Sequence, residues 1–435
     1  MELRKWGIVG GGIMRMTLAH RLAQQGHTVT VFESAPELGG LVSPWKMGEV
    51  VWDKFYHVIL LSDLRTRNIL KEIGLEDKIE WVETKTGFYI KGKLYSMSDT
   101  IEFLKFPTLN LIDKFRLGLT IIVASRIKNW RRLEKIPVTT WLKRWSGSNT
   151  YNKIWLPLLR AKLGESYLRT SAVFIWATIQ RLYGARRSGL KKEMFGFVPG
   201  GYKNIIDAFK QTLISEKVLI KTTHTAKEIK TSINGKPQIS FANDITHEFD
   251  EVIVTLPSAI SARLCNGLSK PEVEKLNEIE YLGVICVAVL LDKSISGFYV
   301  TNITDAGVPF TGVIEMSALV DKKYLGGNAL VYLPKYVVAN DPLYNQSDAE
   351  IKAYFLENFK KMYPWITDDN TRFAGVARAS HVITVAKLGY SESLPDVKTS
   401  IPGVYIINTS HIKDGTLNVN ETVRVAETKL GEILM

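Results

Sequence analysis

Cysteine is nearly absent from this chain of 435 residues. Cys265 and Cys286 are the only two, and they have the spacing of neither a metal site nor a redox pair. A disulfide scaffold is excluded, and the two thiols read as reduced core residues of a cytoplasmic protein. The seven histidines form no HExxH or comparable pattern, which argues against a bound metal. Long apolar runs are missing as well: LGLTIIVA (117–124) and YLGVICVAVLL (281–291) are too short to span a bilayer. MELRKWGIVGGG enters a strand almost at once and leaves no room for a secretory signal. The net charge of +12 favours acidic partners, such as an anionic substrate or a membrane surface. Nucleic acid is not among them, because the basic residues are scattered and no nucleic-acid motif accompanies them. A hydrophobic content of 46% with 23% charged residues is that of an ordinary globular protein. The length exceeds what one core usually serves, so two domains are expected.

What is present starts with WGIVGGGIMRMTLAHRLAQQGHTVTVFE, which predicts strand, helix and strand. Met14, Leu18, Ala19 and Leu22 form a stripe facing a sheet, and Gly26 supplies the helix stop. In such a unit Gly10 allows the tight turn, and Gly12 lets a pyrophosphate approach the amides that open the helix. Glu33, ending the second strand, accepts hydrogen bonds from ribose hydroxyls and repels a 2′-phosphate. The third glycine of the pattern is replaced by Arg15. A long side chain there is expected to push helix and strand apart or to turn outward, where its guanidinium would reach a phosphate. Weakened or reshaped nucleotide binding on an unchanged fold follows.

Further segments add to this unit. After Glu33 comes SAPELGGLVSPWKM, whose Gly39-Gly40 pair is not needed for NAD. It resembles the extended signature of two-dinucleotide-fold flavoproteins, although Leu41 stands where those have arginine. TTWLKRWSGSNTYNKIWLPLLRAKLGE (139–165), FGFVPGGYKNIIDAF (195–209), IKTTHTAKEIK (220–230), DEVIVTLPS (250–258) and IPGVYIINTSHIKDGTLNVNETVRVAE (401–427) follow in order. Together they resemble the amine oxidase and protoporphyrinogen oxidase superfamily. That resemblance implies an α/β fold, a Rossmann-like FAD-binding domain interleaved with an α+β substrate domain. The first would comprise 1–60, 190–275 and 375–435; the second, 60–190 (mainly helical) and 275–375 (strand-rich).

The implied cofactor is FAD. Its contacts would be Gly10, Gly12, Ile13 and Met14 at the first turn, Glu33 and Ser34 at the ribose, and Gly39, Gly40 and Leu41 in the second loop. The backbone near Ala226 would clasp the adenine. Asn408 and Thr409 occupy the place where many relatives carry Gly-Asp, and Asn420 lies in the closing helix. His57, His411, Lys387 and Tyr390 are candidates for the flavin or substrate pocket, with His381 nearby in sequence. Trp141, Trp145, Trp155 and Trp176 read as helix-packing residues, and Arg160 and Lys162 as an exposed basic face that could meet an anionic substrate. The run 103–132 mixes apolar and basic patches. It suits either a core helix with a basic outer face or peripheral membrane contact near a lipid-linked substrate. The leading function is an FAD-dependent oxidoreductase removing hydride from a C–N or C–C bond of a small organic substrate. The alternatives are a non-redox flavoenzyme resembling UDP-galactopyranose mutase and a degenerate fold with weakened FAD binding. An NAD dehydrogenase would leave 401–427 unexplained.

Overall fold

The computed structural model describes residues 2–98, 100–184 and 194–435. The N-terminal unit forms as its periodicity dictates: β1 (Lys5–Val9), α1 (Ile13–Gln24) and β2 (Thr28–Phe32). β1 lies at the centre of a five-stranded parallel sheet in the order Leu219–Lys221, β2, β1, Glu251–Val254, Val404–Ile406. Alternate residues serve opposite faces. Ile8, Val31 and Ile253 pack under α1 and the helices Gly201–Ser215 and Val419–Leu434. Val9, Phe32, Val252 and Val254 face an antiparallel sheet of Ala226–Thr231, Pro237–Phe241 and Thr246–Glu248. Both faces are covered, which is why these strands read as unbroken apolar runs. α1 is enclosed as well, every residue from Ile13 to His20 being buried. It ends where Gly26 adopts a φ of +86°, with the amides of Gly26 and His27 donating to the carbonyls of Ala23 and Leu22.

The second body is built on a seven-stranded sheet: Thr371–Thr384, Tyr281–Leu291, Ala329–Val338, Gly312–Glu315, Val300–Ile303, Thr86–Ile90, Lys93–Ser96. The fully buried strand Tyr281–Leu291 again serves two cores. Val284, Cys286, Ala288 and Leu290 meet Trp52, Phe195 and Phe197, whereas Ile285, Val287 and Val289 lie under the helix Asp348–Met362. The helices Leu111–Arg126, Val138–Thr150, Leu156–Leu163 and Val173–Gly184 enclose a separate core. Trp141 and Trp176 lie in that core, with Trp145 and Trp155 packed against it.

The structure differs from the sequence reading in two places. Residues 60–190, read as mainly helical, also hold the strands Glu80–Glu83, Thr86–Ile90 and Lys93–Ser96. Thr86–Ile90 is completed by parallel pairing with Val300–Ile303, a partner too far along the chain for local periodicity to reveal. The sheet also keeps its edge strand to Thr384, past residue 375; the boundary near 190 lies outside the described residues. Among the described residues, no helix is long and apolar enough to cross a membrane, and no group of His, Cys, Asp or Glu could hold a metal ion.

Phe209 sits at the centre of the first core, fully buried, with its ring edge-on to His20 at 5.6 Å. Phe209→Ala should cost about 3–5 kcal/mol of stability, read as a lowered midpoint in urea unfolding. A midpoint equal to that of the natural chain would show that α1 is not held by this contact.

Candidate functional site

The site begins where two glycine loops cross. Gly12 precedes α1 at φ +95°, and Gly10 turns the chain at φ +125°. Gly39 and Gly40 take φ +135° and +58°. A Cβ on Gly40 would stand 3.2 Å from the Cα of Gly12, and one on Gly12 3.4 Å from the carbonyl oxygen of Gly39. The loops therefore touch backbone to backbone, in conformations that favour glycine. Beside the crossing, α1 opens with Ile13 and Met14 buried and no acid in its first turn. Backbone amides and a helix N-terminus free of negative charge form a donor set suited to a diphosphate. The strand that begins at Ala226 is tied in alongside: His224 N donates to Glu33 O at 2.8 Å, and Thr223 N to Ala35 O at 3.1 Å. These residues fit the adenosine diphosphate half of FAD.

Arg15 corrects the sequence expectation. It neither parts helix from strand nor turns outward; it is fully buried, and its guanidinium folds back across the turn. Nη1 donates to Gly10 O, to Phe32 O at 3.1 Å and to Glu33 Oε2 at 3.0 Å. Three acceptors lie within reach because Gly10 and the end of β2 converge there. Burial lowers the Arg15 pKa to about 10, against the raising field of Glu33, so the group stays charged. Nε and Nη2 are left buried without partners. The other Glu33 oxygen, Oε1, accepts from Ala35 N at 2.8 Å and Ser34 Oγ at 3.2 Å. The acid that should receive ribose hydroxyls is thus half engaged by a cation of its own chain.

The C-terminal segment delivers a turn rather than free side chains. Asn408 is buried, and its carboxamide makes all the bonds it can. Oδ1 accepts from Ser410 N at 3.0 Å and Ser410 Oγ at 2.6 Å, while Nδ2 donates to Leu256 O at 2.8 Å and Ser258 Oγ at 3.2 Å. What it can still offer a cofactor is backbone. Thr409 follows at the start of this turn. Tyr390 is buried and donates to Ser410 O at 2.8 Å, bolting the turn from beneath. His411 is buried beside Asn408, and burial pushes its pKa down to about 4, leaving it neutral. Asn420 lies apart from the glycine crossing, accepting from the amides of Arg65 at 2.9 Å and Thr66 at 3.3 Å. Lys387 forms an ion pair with Glu280 at 2.6 Å. His381 contacts Ser380 Oγ at 2.7 Å and lies edge-on to Tyr281. Tyr281 and Ser258, joined at 3.1 Å and both part of the Asn408 network, carried no local sequence signal because their partners lie far along the chain.

Between the two bodies, VVWDKFYHVI contributes more than its histidine. His57 Nδ1 donates to the Phe55 carbonyl oxygen at 2.9 Å and its ring lies against Tyr202, and burial lowers its pKa to about 4. Asp53 is buried with it, one oxygen accepting from Tyr202 N at 2.8 Å, and desolvation lifts its pKa from 3.8 to about 8. Tyr56 OH meets Tyr336 OH at 2.8 Å. Leu41, Trp45, Tyr56 and Tyr336 are half-buried and fringe the same apolar core. The lone acid in an apolar strand was the signal for Asp53.

Because the native Asp53 holds its proton between pH 4 and 8 while the unfolded chain releases it, stability should fall as pH rises through that window and level off above about 8. Asp53→Asn should remove that part of the slope in thermal melts between pH 4.5 and 8.5. An unchanged slope would show that Asp53 is ionised in the fold.

Comparison with known proteins agrees with this construction. Residues 16–412 match the family of flavin containing amine oxidoreductases. The zeta-carotene desaturase of Synechocystis sp. is 22% identical over 92% of this chain and 91% of its own. The coproporphyrinogen III oxidase of Mycobacterium tuberculosis is 22% identical over 87% of this chain and 84% of its own. Among solved structures, a putative protoporphyrinogen oxidase from Exiguobacterium sp. superposes with a TM-score of 0.77 at 17% identity, covering 100% of this chain and 99% of that one. At that identity the likeness speaks for the fold, with its Rossmann-like sheet and second domain. The match across nearly the whole length, with the glycine crossing at one end and the Asn408 turn at the other, places the chain in the flavin containing amine oxidoreductase family.

Proposed function

We propose that this FAD-dependent oxidoreductase oxidises a C–C bond of an apolar, unsaturated substrate; the mutase alternative is not favoured, since the sequence relatives are desaturases and oxidases. The observation that carries this is the charge state of the fringe between the two bodies. Leu41, Trp45, Tyr56 and Tyr336 present carbon and neutral hydroxyls, the Tyr56 hydroxyl being held well above its ordinary pKa by burial. Asp53 and His57, the titratable side chains behind that fringe, are both neutral at pH 7, with pKa values of about 8 and about 4. Among the described residues no carboxylate is placed there to receive an ammonium group, and Lys162 Nζ stands 3.6 Å over the Tyr336 ring as a like charge, so an amine gains nothing over a hydrocarbon. A relative named as a desaturase agrees with that chemistry.

When bound, FAD supplies the two-electron acceptor. The chain's own part is to hold the diphosphate on the amides that open α1 and the ribose on the free valence of Glu33. The tyrosine pair and Trp45 keep the substrate dry and oriented. The same proposal includes a cytoplasmic location, which suits the two buried, unpaired thiols.

Mixing the FAD-loaded protein anaerobically with conjugated or partly reduced polyenes should bleach the flavin spectrum, whereas primary amines should leave it unchanged. Bleaching by amines alone would overturn the C–C assignment. Independently, Arg15→Gly should release Glu33 for the ribose and tighten FAD binding about tenfold, the weight of one hydrogen bond to a charged group, measured by FAD titration of the apoprotein. Equal dissociation constants would mean that the Arg15–Glu33 pair does not compete with the cofactor.

A further inference from the structure

The helix Leu111–Arg126 buries two charged residues in its first turn and leaves large apolar ones exposed beside them. Asp113 and Lys114 are buried, each at 7% exposure, on the side that meets the protein. Their charges are absorbed internally: Asn149 and Thr150 donate to Asp113, and Lys114 Nζ donates to Leu104 O at 2.6 Å. The outward side carries Leu111, Ile112 and Phe115 at 74%, 71% and 71% exposure, with Ile122 a further two turns along. Ile112, Phe115, Leu119 and Ile122 recur at helical spacing, so this is one continuous stripe. The adjoining helix Thr100–Lys105 adds Ile101 and Leu104, also exposed. Among the described residues the other exposed large apolar side chains are scattered, apart from the neighbours Leu182 and Tyr183, and a contiguous strip of this kind marks a contact surface.

The rim of the stripe fixes what it contacts. Lys105 at one end, and Arg126, Lys128, Arg131 and Arg132 at and beyond the other end of the helix, are all exposed. Among the described residues of 100–134 the acids are engaged within the protein: Glu102 accepts from Ser98 N at 2.8 Å, and Glu134, buried, accepts from Ser391 N at 2.7 Å. The exposed charge of those residues is therefore positive. A second copy of this chain would bring that rim against an identical one, like charge to like. An anionic lipid surface satisfies both the apolar stripe and the cations.

We infer that the face formed by Ile101, Leu104, Leu111, Ile112 and Phe115 docks this protein peripherally on an anionic lipid surface. The helix lies in the plane of the interface: its apolar side chains enter the acyl boundary and the arginines meet the headgroup phosphates. The exposed rings and branched carbons make this a surface attachment and not a span, consistent with the absence of any membrane-crossing helix among the described residues.

The test is co-sedimentation of the full, FAD-supplemented chain with vesicles of phosphatidylglycerol and phosphatidylcholine, against vesicles of phosphatidylcholine alone. The natural protein should pellet with the anionic vesicles and bind the neutral ones far less. The double variant Ile112→Ser/Phe115→Ser should bind the anionic vesicles about tenfold more weakly or worse, with an unchanged melting midpoint because both side chains are exposed. Arg131→Gln/Arg132→Gln should weaken binding and flatten its salt dependence. Failure of the natural chain to pellet, or equal binding by the apolar double variant, would overturn the inference. So would a natural dimer in solution that the double variant converts to monomer, since the stripe would then belong to a second copy.

Discussion

Everything at the nucleotide end depends on two loops that touch without side chains. A Cβ on Gly40 would press on the Cα of Gly12 at 3.2 Å, and one on Gly39 on the Cα of Ser43 at 3.0 Å. That contact joins the start of α1 to the hairpin Pro44–Met47 and Val50–Asp53, and the hairpin in turn reaches the core under the seven-stranded sheet. One crossing of glycines thus places the diphosphate donors, the aromatic fringe of Trp45 and Tyr56, and Asp53 in fixed relation. The positions are glycine because all three take positive φ, with crowding at Gly39 and Gly40 adding to the requirement.

Arg15 shows how far such a frame tolerates an intruder. A buried guanidinium is expensive unless acceptors surround it. Here the turn at Gly10 and the end of β2 supply two carbonyls and a carboxylate. The helix, the strands and their register are preserved, so the fold absorbs the substitution. Under the proposed function the effect falls on the cofactor, because one of the three acceptors is Glu33, the acid proposed to hold the ribose.

The architecture was legible where local chemistry decides it. Unbroken apolar runs gave the parallel strands, Gly26 the end of α1, and Pro199-Gly200-Gly201 the entry to the helix Gly201–Ser215. Legibility failed where the partner is remote. Thr86–Ile90 becomes a strand because Val300–Ile303 pairs with it, and Asn408 spends its carboxamide on Leu256, Ser258 and Ser410. The direction of Arg15 was misread for a similar reason. Sterics at the helix surface suggested an outward turn, but the acceptors that draw it inward are assembled only once β1, β2 and α1 have closed. Asp53 was readable as a lone acid among apolar residues, yet its neutrality follows from tertiary burial alone.

The central claim is that the crossing of Gly12 with Gly39 and Gly40 holds FAD. Equilibrium dialysis of the full chain against FAD, with a Gly40→Val variant alongside, tests it most directly. The account predicts one FAD bound per natural chain, and a variant that keeps its circular dichroism spectrum while losing the cofactor. A natural chain that takes up no FAD, or a Gly40→Val chain that binds it as tightly, would contradict the account.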